Sequence, residues 1–420
     1  MGEQTVRFQP FDGWSFTISG SDHDAGVVGE IERSGGRYQP DVALLLRRRL
    51  RPDAVVVDGG AHIGVLTVLM ARLCPGGHVY AFEPSPETRA HLLANLAANG
   101  AGNVTVEASA LYDRDGDVAF DPSAAQPGGA HLAASGGVTT GTATVAATRL
   151  DTWAAAGRIE RLDLVKLDVE GTELAVLAGA EATIRRFRPT VVVECNPVAL
   201  RRFGGRSYRD LFDALRSLFP VVGVAGRAGH VIPLRSADHL ELALGDRGVV
   251  DLVGLPARPG PVQALRSTAR GRADERRLRL AHDPAHLPVT NMNLVIEPAV
   301  GIVAGVAEVA GPPGSFVTVP VTVTNRSRWW LSSSFPYVPV HVAYRLFDEA
   351  GGPVVAEGRR TVFPEPVAPG GEVDLGVGVD LPAEPGRYEL VVTPVQEFFT
   401  WFDDLDPGCT ARLPVVVSPS

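Results

Sequence analysis

Val55-Val56-Val57-Asp58-Gly59-Gly60-Ala61-His62-Ile63-Gly64 is a β-branched run that ends in an acid and breaks into glycines. From Ile63 to Leu73 apolar residues recur at helical spacing, so the stretch reads as strand, tight loop and helix. Glycines in such a loop let a nucleotide-like ligand approach the backbone, and the helix N-terminus adds amide donors. The strict dinucleotide pattern G-x-G-x-x-G is not quite met, and Asp58 at the strand end would repel a pyrophosphate. An acid there suits a cationic cofactor, and S-adenosylmethionine, with its sulfonium and its amino acid cation, is the candidate. A bare turn of this kind would carry no function, so the loop gains its meaning from the acids at neighbouring strand ends.

Some twenty residues on, Val79-Tyr80-Ala81-Phe82-Glu83-Pro84 ends a second strand in an acid. Glu83 there can accept both hydroxyls of a ribose, as in other nucleoside-binding α/β folds. Its alternative is a helix cap, which Ser85 supplies without it. Ala110-Leu111, where the third strand ends, offers small and apolar residues to face an adenine. The densest segment is Leu164-Val165-Lys166-Leu167-Asp168-Val169-Glu170-Gly171-Thr172-Glu173. Side chains alternate along a strand, so Lys166, Asp168 and Glu170 project to one side if the strand persists that far. A lysine buried beside carboxylates is costly unless the groups pair, and such pairing perturbs titration as active sites do. The alternative is a structural ion pair next to a helix start rich in acids. Lys166 is the single lysine among 39 Lys plus Arg, so a drift towards arginine has left an ammonium at this position alone.

Around these segments strands alternate with helices. We expect strands at 54–57, 78–82, 104–107, 162–168 and 190–195, with helices at 86–99, 172–186 and 208–218. Further strands are expected at 221–225, 231–234, 240–243 and 249–255, and a hairpin with a mobile tip over 116–148. Such alternation makes a doubly wound, mainly parallel sheet with its ligand beyond the strand carboxyl ends. Residues 1–50 read as a strand pair and a covering helix, 51–255 as the α/β domain, and 256–290 as a basic linker with seven Arg against three acids. Residues 291–420 alternate as short strands between Gly/Pro turns without helices, the pattern of an all-β immunoglobulin-like sandwich. That last piece holds seven Arg and no Lys against fifteen acids, which is nearly all of the chain's net charge of −9.

The 420 residues exceed the size at which a single core stops growing. Three scattered cysteines give no disulfide framework and no zinc spacing, which fits a reducing cytoplasm. No apolar run approaches a membrane span or a secretory signal, and no whole domain is basic enough for nucleic acid.

The motifs D-G-G-A-H-I-G, F-E-P, A-L-Y-D-R-D-G, V-K-L-D-V-E-G-T-E and V-V-V-E-C together resemble FkbM-type S-adenosylmethionine-dependent methyltransferases, over roughly Tyr38 to Leu255. The resemblance implies a class I methyltransferase fold, Rossmann-like with seven strands and the last antiparallel, acting on a hydroxyl of a sugar, glycan or natural product. It assigns cofactor roles to Asp58, Gly60, Gly64 and Glu83, within a loop set that includes Gly59, His62 and Pro84. It assigns reaction-site roles to Lys166, Asp168, Glu170 and Glu194. His62 stands where many class I enzymes have a glycine. Asp168 is the expected base or hydroxyl orienter, with Glu170 and Glu194 behind it. No metal is expected, the competing mechanism being a magnesium or calcium ion held by Asp168 and Glu194. Nothing in the family pattern covers the C-terminal domain.

There, Trp329-Trp330 and Phe398-Phe399-Thr400-Trp401-Phe402 read mainly as core, with the remainder as a surface for a glycan or a partner protein. Two other functions compete with the methyltransferase: a nicotinamide-dependent oxidoreductase on a similar sheet, and a non-catalytic glycan-binding or scaffold protein.

Overall fold

The structure is a computed structural model that describes residues 2–22, 24, 26–121, 131–132, 143–226, 229–257, 295, 297–334, 338–397 and 399–418. Two compact units divide the chain: Met1–Leu240 with Val249–Ala273, and Glu241–Gly248 with Asp274–Ser420.

The first unit opens with an antiparallel pair, β1 (Glu3–Phe8) and β2 (Phe16–Ser21), followed by α1 (Val28–Arg33) and α2 (Pro40–Arg49). Then come β3 (Val55–Gly59), α3 (Val65–Leu73), β4 (His78–Phe82), α4 (Pro86–Ala98) and β5 (Val104–Glu107). A small side sheet follows, of β6 (Ala110–Leu111), β7 (Gly116–Asp121), β8 (His131–Leu132) and β9 (Ala143–Thr148). After α5 (Leu150–Trp153) the main sheet resumes with β10 (Leu164–Leu167), α6 (Glu173–Gly179), α7 (Glu181–Phe187), β11 (Thr190–Cys195), α8 (Pro197–Arg202) and α9 (Tyr208–Leu218). It closes with β12 (Val221–Gly226), β13 (His230–Pro233), α10 (Ala237–Arg247) and β14 (Val250–Leu255).

The strand order is β13-β12-β14-β11-β10-β3-β4-β5. From β3 the chain winds outward through β4 and β5, and from β10 it winds the other way through β11, with all four of these neighbouring pairs parallel. β14 inserts antiparallel between β11 and β12. The order therefore reverses between β3 and β10, and a crevice opens at such a switch point beyond the carboxyl ends of the strands. The expected seven strands with an antiparallel last one are present, joined by an eighth, β13, at the edge. Strands buried on both faces explain why Val55–Val57 and Val191–Val193 read as unbroken apolar runs rather than alternating ones.

Several expectations are corrected. Residues 240–243 form no strand but part of α10, because Leu240, Ala243 and Leu244 are buried at helical spacing. The helix expected over 172–186 is two, α6 and α7, separated at Ala180 with φ −116°. Gly179 there lies so close to Tyr112 that an added Cβ would sit 2.0 Å from its carbonyl oxygen. Helix α8 was not foreseen. The hairpin β7–β9 is antiparallel as expected, while its tip lies outside the described residues. Most of the basic linker at 256–290 also lies outside them.

In the second unit, β15 (Val300–Ala304), β17 (Phe316–Asn325) and β20 (Glu372–Asp380) form one sheet. The other holds β16 (Val309–Gly311), β18 (Val340–Asp348), β19 (Pro353–Val355), β21 (Gly386–Gln396), β22 (Thr400–Trp401) and β23 (Ala411–Val417). One apolar core draws on both, with Val321, Val323 and Val377 from the first and Tyr344, Leu390 and Val415 from the second. β19 is short and stops at Val355, and among the described residues from 295 onward one helical turn, Phe402–Leu405, stands amid the strands. Trp329, Trp401 and Phe402 are buried, as core residues should be, whereas Phe398 lies outside the described residues. Among the described residues no helix is long and apolar enough to cross a membrane.

Candidate active site

A cavity of about 230 Å³ opens at the switch point, and its walls include Asp58, Gly60, His62, Glu83, Pro84, Ala110, Leu111, Lys166, Asp168, Glu170 and Glu194. Eleven of the thirteen residues singled out from the sequence thus line one space. The other two shape it. Gly59 ends β3 where a Cβ would lie 3.0 Å from the side chains of Leu111 and Leu167, and Gly64, at φ 88°, caps α3 hard against Leu92.

At one part of the cavity Glu83 is fixed by two backbone donors. The His62 N–H donates to Oε2 and the Ser85 N–H to Oε1, both at 2.9 Å. Arg89 donates to the carbonyls of Glu83 and Pro84, which pins the β4–α4 turn. Burial raises the Glu83 carboxyl, and His62 together with the two amides pulls it back. His62 takes φ 50°, the left-handed conformation a glycine would adopt, and that turn aims its N–H at Glu83. A histidine therefore holds the left-handed turn that a glycine would favour.

Asp58, 2% exposed, accepts a 2.6 Å hydrogen bond from Thr67, the only polar residue on the buried face of α3. Lys166 sits beside it on β10, in register with Asp58 across the parallel pair. The Lys166 Nζ donates to Asp168 Oδ2 at 2.8 Å. Burial works against this ammonium, but the charges of Asp168 and Asp58 outweigh it and hold its pKa above the ordinary value. For Asp168 burial is likewise overcome by Lys166, so its carboxyl is held below the usual range. It is the ionised member of the cluster.

Glu170 and Glu194 behave oppositely. Burial, reinforced by the charges of Asp168 and Glu173, pushes Glu170 up to about 8. Burial and the charges of Asp168 and Glu170 push Glu194 well up. The strand ends at Leu167, so Glu170 reaches the cavity through a left-handed turn at φ 52° rather than through continued alternation. Carboxylate oxygens of Asp168, Glu170 and Glu194 lie within 4.8 Å of one another, a spacing able to gather one cation.

Sequence reasoning missed the wall from the N-terminal segment. Glu30 of α1, Tyr38 and Gln39 line the cavity, and Gln39 donates through Nε2 to Asp168 Oδ2 at 3.2 Å. The available signal was Gln39-Pro40, a residue confined by the proline that opens α2, and it is weak. Gln39, His62 and Glu170 are three of the four non-glycine residues with positive φ among the described residues, and all three line this cavity. Strained backbone collects at functional sites because the surrounding structure must hold it in place.

Comparison with known proteins finds similarity within the first unit. Residues 58–226 match the family model described as the methyltransferase FkbM domain. The hexuronic acid methyltransferase AglP of Haloferax volcanii is 32% identical over 156 residues, which cover 37% of this chain and 62% of that protein. The 2-O-methyltransferase NoeI of Sinorhizobium fredii is 26% identical over 176 residues, covering 37% of this chain and 72% of NoeI. A crystal structure of an FkbM methyltransferase from Methylobacillus flagellatus aligns with 18% identity and a TM-score of 0.32, over 49% of this chain and 44% of that one.

Proposed function

We propose that this chain, which carries a methyltransferase FkbM domain over residues 58–226, transfers a methyl group from S-adenosylmethionine to a hydroxyl of a sugar or glycan. The observation that carries the reading is one cavity with two differently charged carboxylate groups, Glu83 at one part and the Asp168 cluster at another. The names of the similar proteins, a hexuronic acid methyltransferase and a 2-O-methyltransferase, support a sugar acceptor.

The residues fit the cofactor. Each oxygen of Glu83 accepts one backbone N–H and keeps a second lone pair, so the pair is set to receive two vicinal ribose hydroxyls. Ala110 and Leu111 give the apolar wall an adenine needs, and Asp58 supplies negative charge for the cationic end. The same charge disfavours a nicotinamide dinucleotide, whose pyrophosphate would meet it. When bound, S-adenosylmethionine supplies a methyl group on a sulfonium.

The protein's part is to position the acceptor and take its proton. Asp168, kept ionised by Lys166 and steadied by Gln39, accepts a hydrogen bond from a neighbouring hydroxyl of the sugar and so orients the reacting oxygen, whose own proton is turned to Glu170. Glu170, whose proton affinity lies near neutrality, receives the proton as the new C–O bond forms, and Glu194 beside it shares that proton. This moves the base from Asp168, the residue favoured on sequence grounds, to Glu170, because a carboxyl held low is a poor proton acceptor. The three buried free cysteines fit action in a reducing cytoplasm. The second unit, which we read as immunoglobulin-like, would present a bulky acceptor or bind a partner protein.

Glu83→Ala tests the cofactor site. It removes two charge-assisted hydrogen bonds worth about 1.5 to 3 kcal/mol each, so affinity for S-adenosylmethionine should fall by more than about tenfold in calorimetry. Unchanged binding would remove Glu83 from the site.

A further inference from the structure

Tyr38 stands on the wall that the N-terminal segment gives to the cavity, and the methyl-transfer scheme leaves its hydroxyl unused. Burial first, and then the charges of Asp168, Glu194, Glu30 and Glu170, push its phenol well above the ordinary value, so the proton stays on Oη at any working pH. The hydroxyl is therefore a donor and never a base. Its oxygen accepts a long hydrogen bond from Gln39 Nε2 at 3.5 Å, and the same Nε2 donates to Asp168 Oδ2 at 3.2 Å. One amide thus ties phenol and carboxylate together, on a backbone held at φ 39° ahead of Pro40. Among the described residues no hydrogen bond takes up the Tyr38 O–H proton itself. A donor partly withdrawn from water is costly to leave unmatched, and an oxygen on a ligand in this cavity would match it.

Building on the methyl-transfer reading, we propose that Tyr38 is the specificity-determining donor of the acceptor site, and that with Asp168 it requires a free hydroxyl on the carbon next to the one that reacts. A hydroxyl both donates and accepts. Lying between the two groups, the neighbouring hydroxyl donates to the Asp168 carboxylate and takes the Tyr38 O–H on its oxygen. The two bonds fix that edge of the sugar and turn the reacting hydroxyl to Glu170. A neighbour that has lost its oxygen leaves a carboxylate and a phenol unmatched, and one already methylated has no proton for Asp168. The substrate class is therefore a vicinal diol, and an isolated diol takes one methyl group only.

The test uses the full chain with S-adenosylmethionine and the methyl glycosides of glucose, galactose and mannose. Release of S-adenosylhomocysteine gives kcat and KM, and mass spectrometry locates the methyl group. At least one glycoside should be methylated. For that sugar, deoxygenation at one carbon next to the methylated position should lower kcat/KM by at least about tenfold, while deoxygenation farther away should not. Tyr38→Phe keeps the ring and removes the O–H. It should lower kcat/KM for the full sugar about tenfold, chiefly through KM because the bond is present before and during reaction, yet change that of the neighbour-deoxy sugar less than about twofold. The Kd for S-adenosylmethionine should be unchanged. An equal loss on both sugars would reduce Tyr38 to a structural part and overturn the proposal. So would wild-type activity of the variant, an undiminished rate with every deoxy sugar, or turnover of none of the three glycosides by a protein that binds S-adenosylmethionine. Failure to bind S-adenosylmethionine at all would overturn the methyl-transfer reading as well.

Discussion

Asp168 and Glu170 are two residues apart, yet their carboxyls are driven in opposite directions, and the difference is one ammonium. Asp168 holds Lys166 at 2.8 Å, whereas Glu170 faces Asp168 and Glu173 across a buried space. Environments that separate two carboxyls in this way divide the labour of orienting and proton transfer. If Glu170 is the acceptor of the proton, it must be ionised to act, so kcat should rise with pH to a plateau above about 8. Glu170→Gln should lower kcat by about 10²- to 10⁴-fold and abolish that rising limb. A full rising limb in the variant would return the role to another group. The same shift bears on stability. The folded state holds the Glu170 proton to about pH 8, while an unfolded glutamate releases it near its ordinary value of 4.5. The stabilising contribution is therefore present below about pH 4.5 and lost as pH rises through about 8. Glu170→Gln should accordingly flatten the fall in Tm between about pH 5 and pH 8, as followed by circular dichroism.

The site is made where elements end. β3 stops at Gly59 and β10 at Leu167, and the turns after them interlock through Gly60. At φ 79° Gly60 leaves room for the Asp168 carbonyl, which would lie 1.9 Å from an added Cβ. Gly60→Ala should thus cost about 2 to 4 kcal/mol from the left-handed backbone and the overlap together, and displace Asp168. Denaturant unfolding would measure the first effect and acceptor turnover the second, and a variant of wild-type stability would show that the two turns do not interlock. Elements of this kind were legible in the sequence, since Asp58 and Lys166 lie on strands marked by apolar runs and Glu83 directly follows another. The N-terminal wall was not legible. Gln39 reaches Asp168 from 129 residues away in sequence, and no local pattern encodes so distant a contact. α10 was misread because a four-residue apolar window cannot separate a strand from one helical turn. The direction of Glu170 was foreseen for a reason that fails, since it depends on φ 52° and not on strand alternation.

At the scale of the whole molecule, every described residue lining the cavity falls within Met1–Leu240. The first unit also carries its own apolar core, running from Phe8 of β1 to Leu255 of β14. A protein ending near Leu255 should therefore bind S-adenosylmethionine with the Kd of the full chain, while turnover of a bulky glycan is lost if the second unit presents the acceptor. Loss of cofactor affinity in a folded protein of that length would show that the remaining residues complete the site. That the C-terminal region is all but wholly β was legible from its Gly/Pro-punctuated alternation, because short strands repeat a simple period. What it holds was not, because the aromatics that stood out in its sequence, Trp329, Trp401 and Phe402, are buried, at most 7% exposed. The central claim concerns the cavity at the β3–β10 switch point, and isothermal titration of the full chain with S-adenosylmethionine and, separately, with NAD tests it most directly. Saturable one-to-one binding of S-adenosylmethionine, with none of NAD, is the predicted result. Binding of NAD alone, or of neither, would contradict it.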